Sequence, residues 1–308
     1  MQKSIKNKSI KTKKKKFDNC AYLYLLPTML LIVAFVAVPM VMTLGYSFTD
    51  WTGFAGFNFV GFRNFEFLIT DPIFWQSIRL TFLWVGLSVT VLPIASLILA
   101  LIIEYLLPFR RLRTTTRILL FMPQLVSAVA VALLWRHIYN PHFGLIVSIG
   151  RALGIVAEGD IVNLLGNPDA AIYYAFIPVI WAGAGFGMIV LCASMQNISS
   201  DIVEAGMIDG CTRPKIVWHI VIPLIRPTLG LLATINLIGG FNAFATLHAL
   251  TRGGPGTATQ VTALYIFREA FENNRFGYSS ALSFVLMIIT LVFGVVFFSL
   301  SKRIQHYN

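Results

Sequence analysis

The sequence predicts an all-α integral membrane protein with six transmembrane helices. Of its 308 residues, 57% are hydrophobic and only 12% are charged. The mean hydropathy is +0.76, outside the range of a soluble globular domain. Six uncharged intervals interrupt the charges, each long enough for one spanning helix and too short for two. The criterion is roughly 20 apolar residues, because about 30 Å of hydrocarbon must be crossed at about 1.5 Å per residue.

Asp18 and Asp50 enclose 31 uncharged residues, Arg79 and Glu104 enclose 24, and Arg117 and Arg136 enclose 18. Asp169 and Asp201 enclose 31, Arg226 and Arg252 enclose 25, and Arg275 and Lys302 enclose 26. These intervals place spans near 21–47, 80–104, 117–138, 171–195, 227–250 and 278–301. The third is the shortest and reaches past Arg136 by snorkelling of that side chain. Pro39, Pro93, Pro123 and Pro178 fall inside spans and are expected to kink them. Residues 1–18 read as a basic tail ahead of a membrane domain, 19–308. The first span is too long for the apolar region of a cleaved signal peptide and is expected to be retained.

The formal charge is +11, and its placement is informative. Eight lysines precede the first span, and Arg110, Arg111, Arg113 and Arg117 follow the second. Arg213, Lys215, Arg226, Lys302 and Arg303 fall on the same side, giving 17 basic residues there. The opposite side holds five, Arg63, Arg151, Arg252, Arg268 and Arg275. By the positive-inside rule both termini are expected in the cytoplasm. The lysine-rich tail is then a juxtamembrane segment held to anionic membrane lipid, and no nucleic acid is implied.

Several functions lose support. The sequence has no Gly-Lys dipeptide, hence no P-loop to cradle nucleotide phosphates. No uncharged interval can hold the carboxylate that proton-coupled carriers keep within the membrane. A sodium-coupled secondary carrier using backbone carbonyls stays open. Cys20, Cys192 and Cys211 lack metal-ligand spacing and read as packing residues, and the five histidines form no i, i+4 pair. Neither a metal nor a cofactor is expected.

Between the fourth and fifth spans, residues 199–223 include "EAGMIDGCTRPKIVWHIVIP", starting at Glu204. Asp201 and Glu204 have the spacing of a capping box, so a short helix is expected from about Ile202. Gly210 is the residue type that ends a helix in a left-handed conformation. A second helix should start near Thr212, tolerate Pro214 in its first turn and run to a break at Pro223. Ile202, Val203, Met207 and Ile208 need a surface to cover them, either their own bundle, the lipid interface or a groove on a cytoplasmic partner.

Glu204-Ala205-Gly206, Gly210, and Ile220, Ile222 and Pro223 resemble the EAA loop of ABC importer permeases: Glu-Ala-Ala, three residues, Gly, nine residues, Ile-x-Leu-Pro. The spacing agrees throughout; Gly206 replaces the second alanine and Ile222 the leucine. The resemblance extends to "YLYLLPTMLLIVAFVAVPMVMTLGYSFTDW", "FMPQLVSAVAVALLWRHIYNPHFGLI", "LTRGGPGTATQVTALYIFREAF" and "GYSSALSF", which are similar to the carbohydrate-uptake branch of that family, glycerol-3-phosphate permeases included. It implies a type I ABC importer transmembrane domain in a bacterial-type plasma (inner) membrane. The subunit itself would not be an enzyme.

It also implies partners. Two ATP-binding subunits would supply hydrolysis, a related second permease would complete a heterodimer, and an external solute-binding protein would deliver the solute. Coupling would fall to Glu204, Ala205, Gly206, Asp209, Gly210, Ile220 and Pro223. The turn Gly253, Gly254, Pro255 and Gly256 would face the solute-binding protein, although any such cluster also serves simply as a turn. In the fifth span, Asn236, Phe241, Asn242, Phe244 and Thr246 have the amides, hydroxyl and rings that suit a polar solute, around Gly239 and Gly240. Helix packing explains the same set equally well, since glycine permits close approach and asparagine bonds across helices.

Overall fold

A computed structural model of the chain describes residues 19–305 apart from 55 and 158, with side chains described over residues 24–299. The basic tail, and with it the lysine count before the first span, lies outside the described residues. Five helices are long and apolar enough to cross a membrane: α1 (Tyr24–Tyr46), α3 (Pro72–Leu106), α7 (Ala171–Gln196), α9 (Arg213–Phe241) and α12 (Phe276–Gln305). Between α3 and α7, α4 (Arg110–Leu125) and α5 (Ala128–Ile138) form a pair bent by 98° that is long and apolar enough to cross only when taken together, giving five spans or up to six. Short helices occupy the connections: α2 (Arg63–Thr70), α6 (Leu145–Ala152), α8 (Ser200–Ile208), α10 (Ala245–Leu250) and α11 (Thr262–Phe267). Because the crossings alternate, α2, α6 and α11 lie on one face of the bundle and α8 on the other.

The third crossing departs from the single helix expected over 117–138. Phe121 hands over to a 3-10 turn at Met122–Leu125 that contains Pro123, and the chain then extends through Val126 and Ser127. Ser127 restarts a helix by accepting the Ala130 N–H. The fifth crossing begins at Arg213, well before 227, and ends at Phe241 instead of continuing to 250. There Asn242 turns its Nδ2 back onto the Ile238 carbonyl at 3.0 Å. Such local bonding competes with helix continuation.

Pro223 does not break the chain. Val217–Val221 adopts a π-helical turn, and Pro223 sits in the first turn of the helix that follows. Two other π turns, Val33–Ala37 and Ile102–Leu106, likewise end two residues before a proline, Pro39 and Pro108. Proline has no N–H for the carbonyl four residues back, and its ring crowds that carbonyl. At Pro39 and Pro223 a locally widened turn relieves both problems while the helix goes on, whereas before Pro108 the helix ends at Leu106 and Leu107 is extended. Pro93 and Pro178 sit inside α3 and α7 without interrupting them, so only Pro123, of the four span prolines, marks a break.

The bundle centres on α3 and α7, with α9 packed along α3. Two clusters fill it. Toward the α11 face, Trp84, Phe176, Leu247 and Leu264 pack with Ile172 and Ala175; toward the α8 face, Ala100, Ile103, Met188, Leu191 and Ile225 do so with Cys192. By contrast α1 rests mainly on α12 and leaves most of its surface uncovered. On the α11 face Asp71 ties three helices together. Its Oδ1 caps α3 by accepting the Ile73 N–H at 2.9 Å, and its Oδ2 accepts the hydroxyls of Tyr265 and Tyr278 at 2.5 and 2.6 Å. Asp50, in the loop after α1, accepts the Asn58 N–H at 2.6 Å, which holds its carboxyl below the ordinary carboxylate range.

Candidate functional site

The first candidate region is α8 and its exit. Ser199, not Asp201, is the N-cap: its Oγ accepts the Asp201 N–H at 3.3 Å, and the helix starts two residues earlier than the capping-box reading placed it. Glu204 is thereby left without a capping duty and lies exposed. At the other end the Cys211 N–H donates to Gly206 at 2.9 Å and the Gly210 N–H to Met207 at 3.0 Å. This is a Schellman ending, and it requires the left-handed residue that Gly210 supplies at φ +79°. Thr212 then stands at the N-cap position of α9 without a side-chain capping bond, with Pro214 in the first turn.

The residues assigned to coupling divide into two groups. Glu204, Ala205, Asp209 and Gly210 face outward, together with Met207 and with Ile208, which is 87% exposed. Gly206 is buried, and Ile220 and Pro223 are half-buried. A Cβ on Gly206 would stand 2.8 Å from Ile220 Cδ1, so glycine here lets α8 lie against the opening turns of α9. The inward set fixes the pose of the helix, and the outward set presents a surface of carboxylates and apolar side chains.

The second region is a hollow where the two interrupted crossings meet. A cavity of about 340 Å³ is lined by Trp84, Ser88, Asn236, Asn242, Phe244 and Thr246, among others. A neighbouring one of about 330 Å³ shares Ala128, Val179, Gly183 and Thr246 with it and adds Gln124. The break after α4 and the break after α9 therefore border adjoining cavities whose mostly apolar walls carry a few polar side chains. Asn236, Thr246 and Gln124 make no side-chain hydrogen bond within the described residues, leaving two amides and a hydroxyl available. Phe244 stacks on His248 at 5.0 Å and leans on Phe267 at 4.9 Å.

Phe241, grouped with these residues on sequence, sits elsewhere. It is 2% exposed and packs edge-on to Phe82 at 5.8 Å, on the far side of the seam between α3 and α9. The paired glycines differ as well. A Cβ on Gly240 would stand 3.1 Å from Val85 Cγ2 and 3.2 Å from its Cα, whereas one on Gly239 would meet nothing within 4 Å. Both glycines line the hollow, but only Gly240 is also packed tightly against α3. Sequence reading missed Gln124, although the run "MPQL" ahead of a Ser-capped helix carried the signal.

A third region is the turn after α10. Gly253 and Gly256 take φ +84° and +58°, and the Gly254–Pro255 peptide is cis. Thr259 braces it from within: its N–H donates to Gly253 at 3.1 Å and its Oγ1 to Gly254 at 2.9 Å. Thr257 donates to Gln76 on α3 at 2.9 Å. Gly254 and Pro255 are half-buried, and Arg252 and Gly256 form the exposed crest.

Residues 94–306 match the family described as "Binding-protein-dependent transport system inner membrane component". A multiple sugar-binding transport system permease protein of Streptococcus mutans is 31% identical, over 92% of this chain and 95% of its own length. A diacetylchitobiose uptake system permease protein of Streptomyces coelicolor is 30% identical, over 88% of this chain and 79% of its own. The fold also superposes on a chain of a bacterial alginate ABC transporter, solved with an alginate pentasaccharide-bound periplasmic protein. The TM-score is 0.80 at 25% identity, covering 92% of this chain and 94% of that one. This chain belongs to the family of inner-membrane components of binding-protein-dependent transport systems, as the non-catalytic, multi-pass permease component of an ABC-type importer and not an ion-coupled carrier.

Proposed function

We propose that the chain imports a carbohydrate, polyol or similar polar organic solute, and that the solute crosses through the hollow where the two interrupted helices meet. The observation that carries this reading is the chemistry of that space. Asn236, Gln124 and Thr246 offer donors and acceptors with no competing partner among the described residues, beside the rings of Trp84 and Phe244. Such a set matches hydroxyls and a sugar face while binding weakly enough to release. The named substrates of its relatives, sugars and alginate among them, point the same way.

In this reading Glu204, Ala205, Asp209 and Gly210 contact an ATP-binding subunit, while Gly206, Ile220 and Pro223 hold α8 in position. Two such subunits, a second related permease and an external solute-binding protein complete the assembly, with the Gly253–Gly256 turn facing the binding protein. Both termini lie in the cytoplasm, in keeping with the basic bias of the loops. Closure of the ATPase dimer moves α8, and α9, continuous with the chain leaving α8, carries that movement to the hollow.

The test is uptake by proteoliposomes holding the assembly purified in mild detergent, supplied with its solute-binding protein and a panel of neutral saccharides, polyols, acidic saccharides and amino acids. The expected result is uptake of one carbohydrate or polyol class that requires ATP and survives collapse of ion gradients. Uptake restricted to amino acids would overturn the solute assignment.

A further inference from the structure

Another hollow lies away from that path. A groove of about 620 Å³ runs between α3, α9 and α12, floored by Val89, Pro93 and Leu97, by Leu229 and Ala233, and by Phe297. It occupies the half of the bundle nearer α8. Arg226 and Ala233, seven residues apart, mark its length as about 10 Å. The face of α3 that carries Trp84, Ser88 and Leu92 points to the polar hollow, so the groove occupies the other side of the α3–α9 seam. Ile94 on its rim is 56% exposed.

One charge stands at the end of this apolar trough. Arg226 is exposed and forms no hydrogen bond or ion pair within the described residues, and no acid lines the groove. Two arginines on the same face are engaged: Arg117 and Arg113 both reach Glu104, which also accepts from Gln196 Nε2 at 3.2 Å. Thr90, the other polar residue in the lining, already donates to its own helix at Gly86, 2.7 Å away. A polar solute would find nothing in the floor to bond. An unpartnered guanidinium on a spanning helix calls for an anion at the membrane interface, and its planar donor fork matches phosphate oxygens.

We propose that this groove is a phospholipid site. The phosphate of an anionic lipid, from the leaflet on the α8 side, sits on Arg226, and one acyl chain lies along Val89, Pro93, Leu97 and Ala233. Basic pockets between spanning helices on the cytoplasmic side favour anionic headgroups for this reason. The lipid wedges the α3–α9 seam from the side opposite the polar hollow.

The experiment measures lipid retained by the full purified assembly after exchange between phosphatidylglycerol and phosphatidylcholine, read by native mass spectrometry. The wild type is expected to keep phosphatidylglycerol about tenfold over phosphatidylcholine, Arg226→Lys to keep most of that preference, and Arg226→Gln to lose at least fivefold of it. Ala233→Trp fills the trough without changing charge and should lower retention of both lipids. Unchanged retention in Arg226→Gln and Ala233→Trp would overturn the site. Should the variants fail to assemble, phosphatidylglycerol with a photoactivatable acyl chain is applied to the wild type. Adducts on the 226–233 segment support the site, and adducts confined elsewhere refute it. A disulfide between Ala233→Cys and a second permease subunit in native membranes would also refute it, by showing a protein helix in the groove.

Discussion

The α8 region and the polar hollow are built in opposite ways. Around α8 a few consecutive residues decide everything: a serine cap, a left-handed glycine and a helix restart within fourteen positions, from Ser199 to Thr212. The hollow instead draws Ser88, Gln124, Asn236 and Thr246 from four separate helical segments and turns. A site made by local chemistry fails sharply when one residue is wrong. A site made by long-range assembly fails gradually, because each contributor supplies only part of it.

Gly210→Val should produce the largest loss. A β-branched residue at φ +79° is strained even though the space around the position is empty, so the Schellman ending is lost and α8 tilts. Uptake is expected to fall more than tenfold with membrane insertion unchanged, and Gly210→Asn, which tolerates that conformation, should retain much of the activity. Parallel uptake and membrane-fraction assays check this. Full uptake in the valine variant would detach α8 from coupling.

Gly240→Leu comes next and acts through packing. Val85 and Ser88 already stand at contact with an imagined Cβ there, and overpacking of this kind costs about 1–3 kcal/mol. Thermal unfolding of the purified assembly should shift down clearly, while Gly239→Ala, facing open space, should leave it in place. Equal effects at the two glycines would contradict the tight packing assigned to Gly240 alone.

Asn236→Leu and Gln124→Leu sharpen the comparison from the other side. Each removes one polar contact from one of two adjoining cavities, so uptake should drop severalfold while unfolding temperature holds, and the double variant should lose more than either single one. The check is concentration-dependent uptake. A loss of stability with unchanged uptake would mean that these amides pack the bundle and do not line the path.

This division also explains what the sequence disclosed. Five of the apolar spans, the Gly210 ending and the Pro214 start were legible because charge-free length and turn chemistry are local properties. The capping assignment went wrong by two residues because Ser199 and Asp201 are both good caps, and only the entry angle of the chain chooses between them. Pro223 looked like a break because a π turn leaves no mark of its own in composition. Asn242 and Pro123 hid inside uncharged intervals, where a hydropathy count cannot distinguish a continuous helix from two pieces. Phe241 was grouped with Asn242 by adjacency, yet it lies at the last turn of a helix, and its ring faces α12 and not the hollow.

The smallest effect is expected at the cap. Ser199→Ala removes one hydrogen bond to the Asp201 N–H, a change worth about 1 kcal/mol where a cap stands alone. The serine does not stand alone here, since Gly206 is seated against Ile220 and the Schellman ending holds the far turn. Asp201 can also take over as cap if the helix shortens by two residues. Uptake should therefore fall less than twofold, and amide exchange should quicken at Asp201 and Ile202 while Met207 and Ile208 keep their protection. Should exchange quicken along the whole of α8, the inward contacts would be weaker than the geometry implies, and the cap would be holding the helix in place.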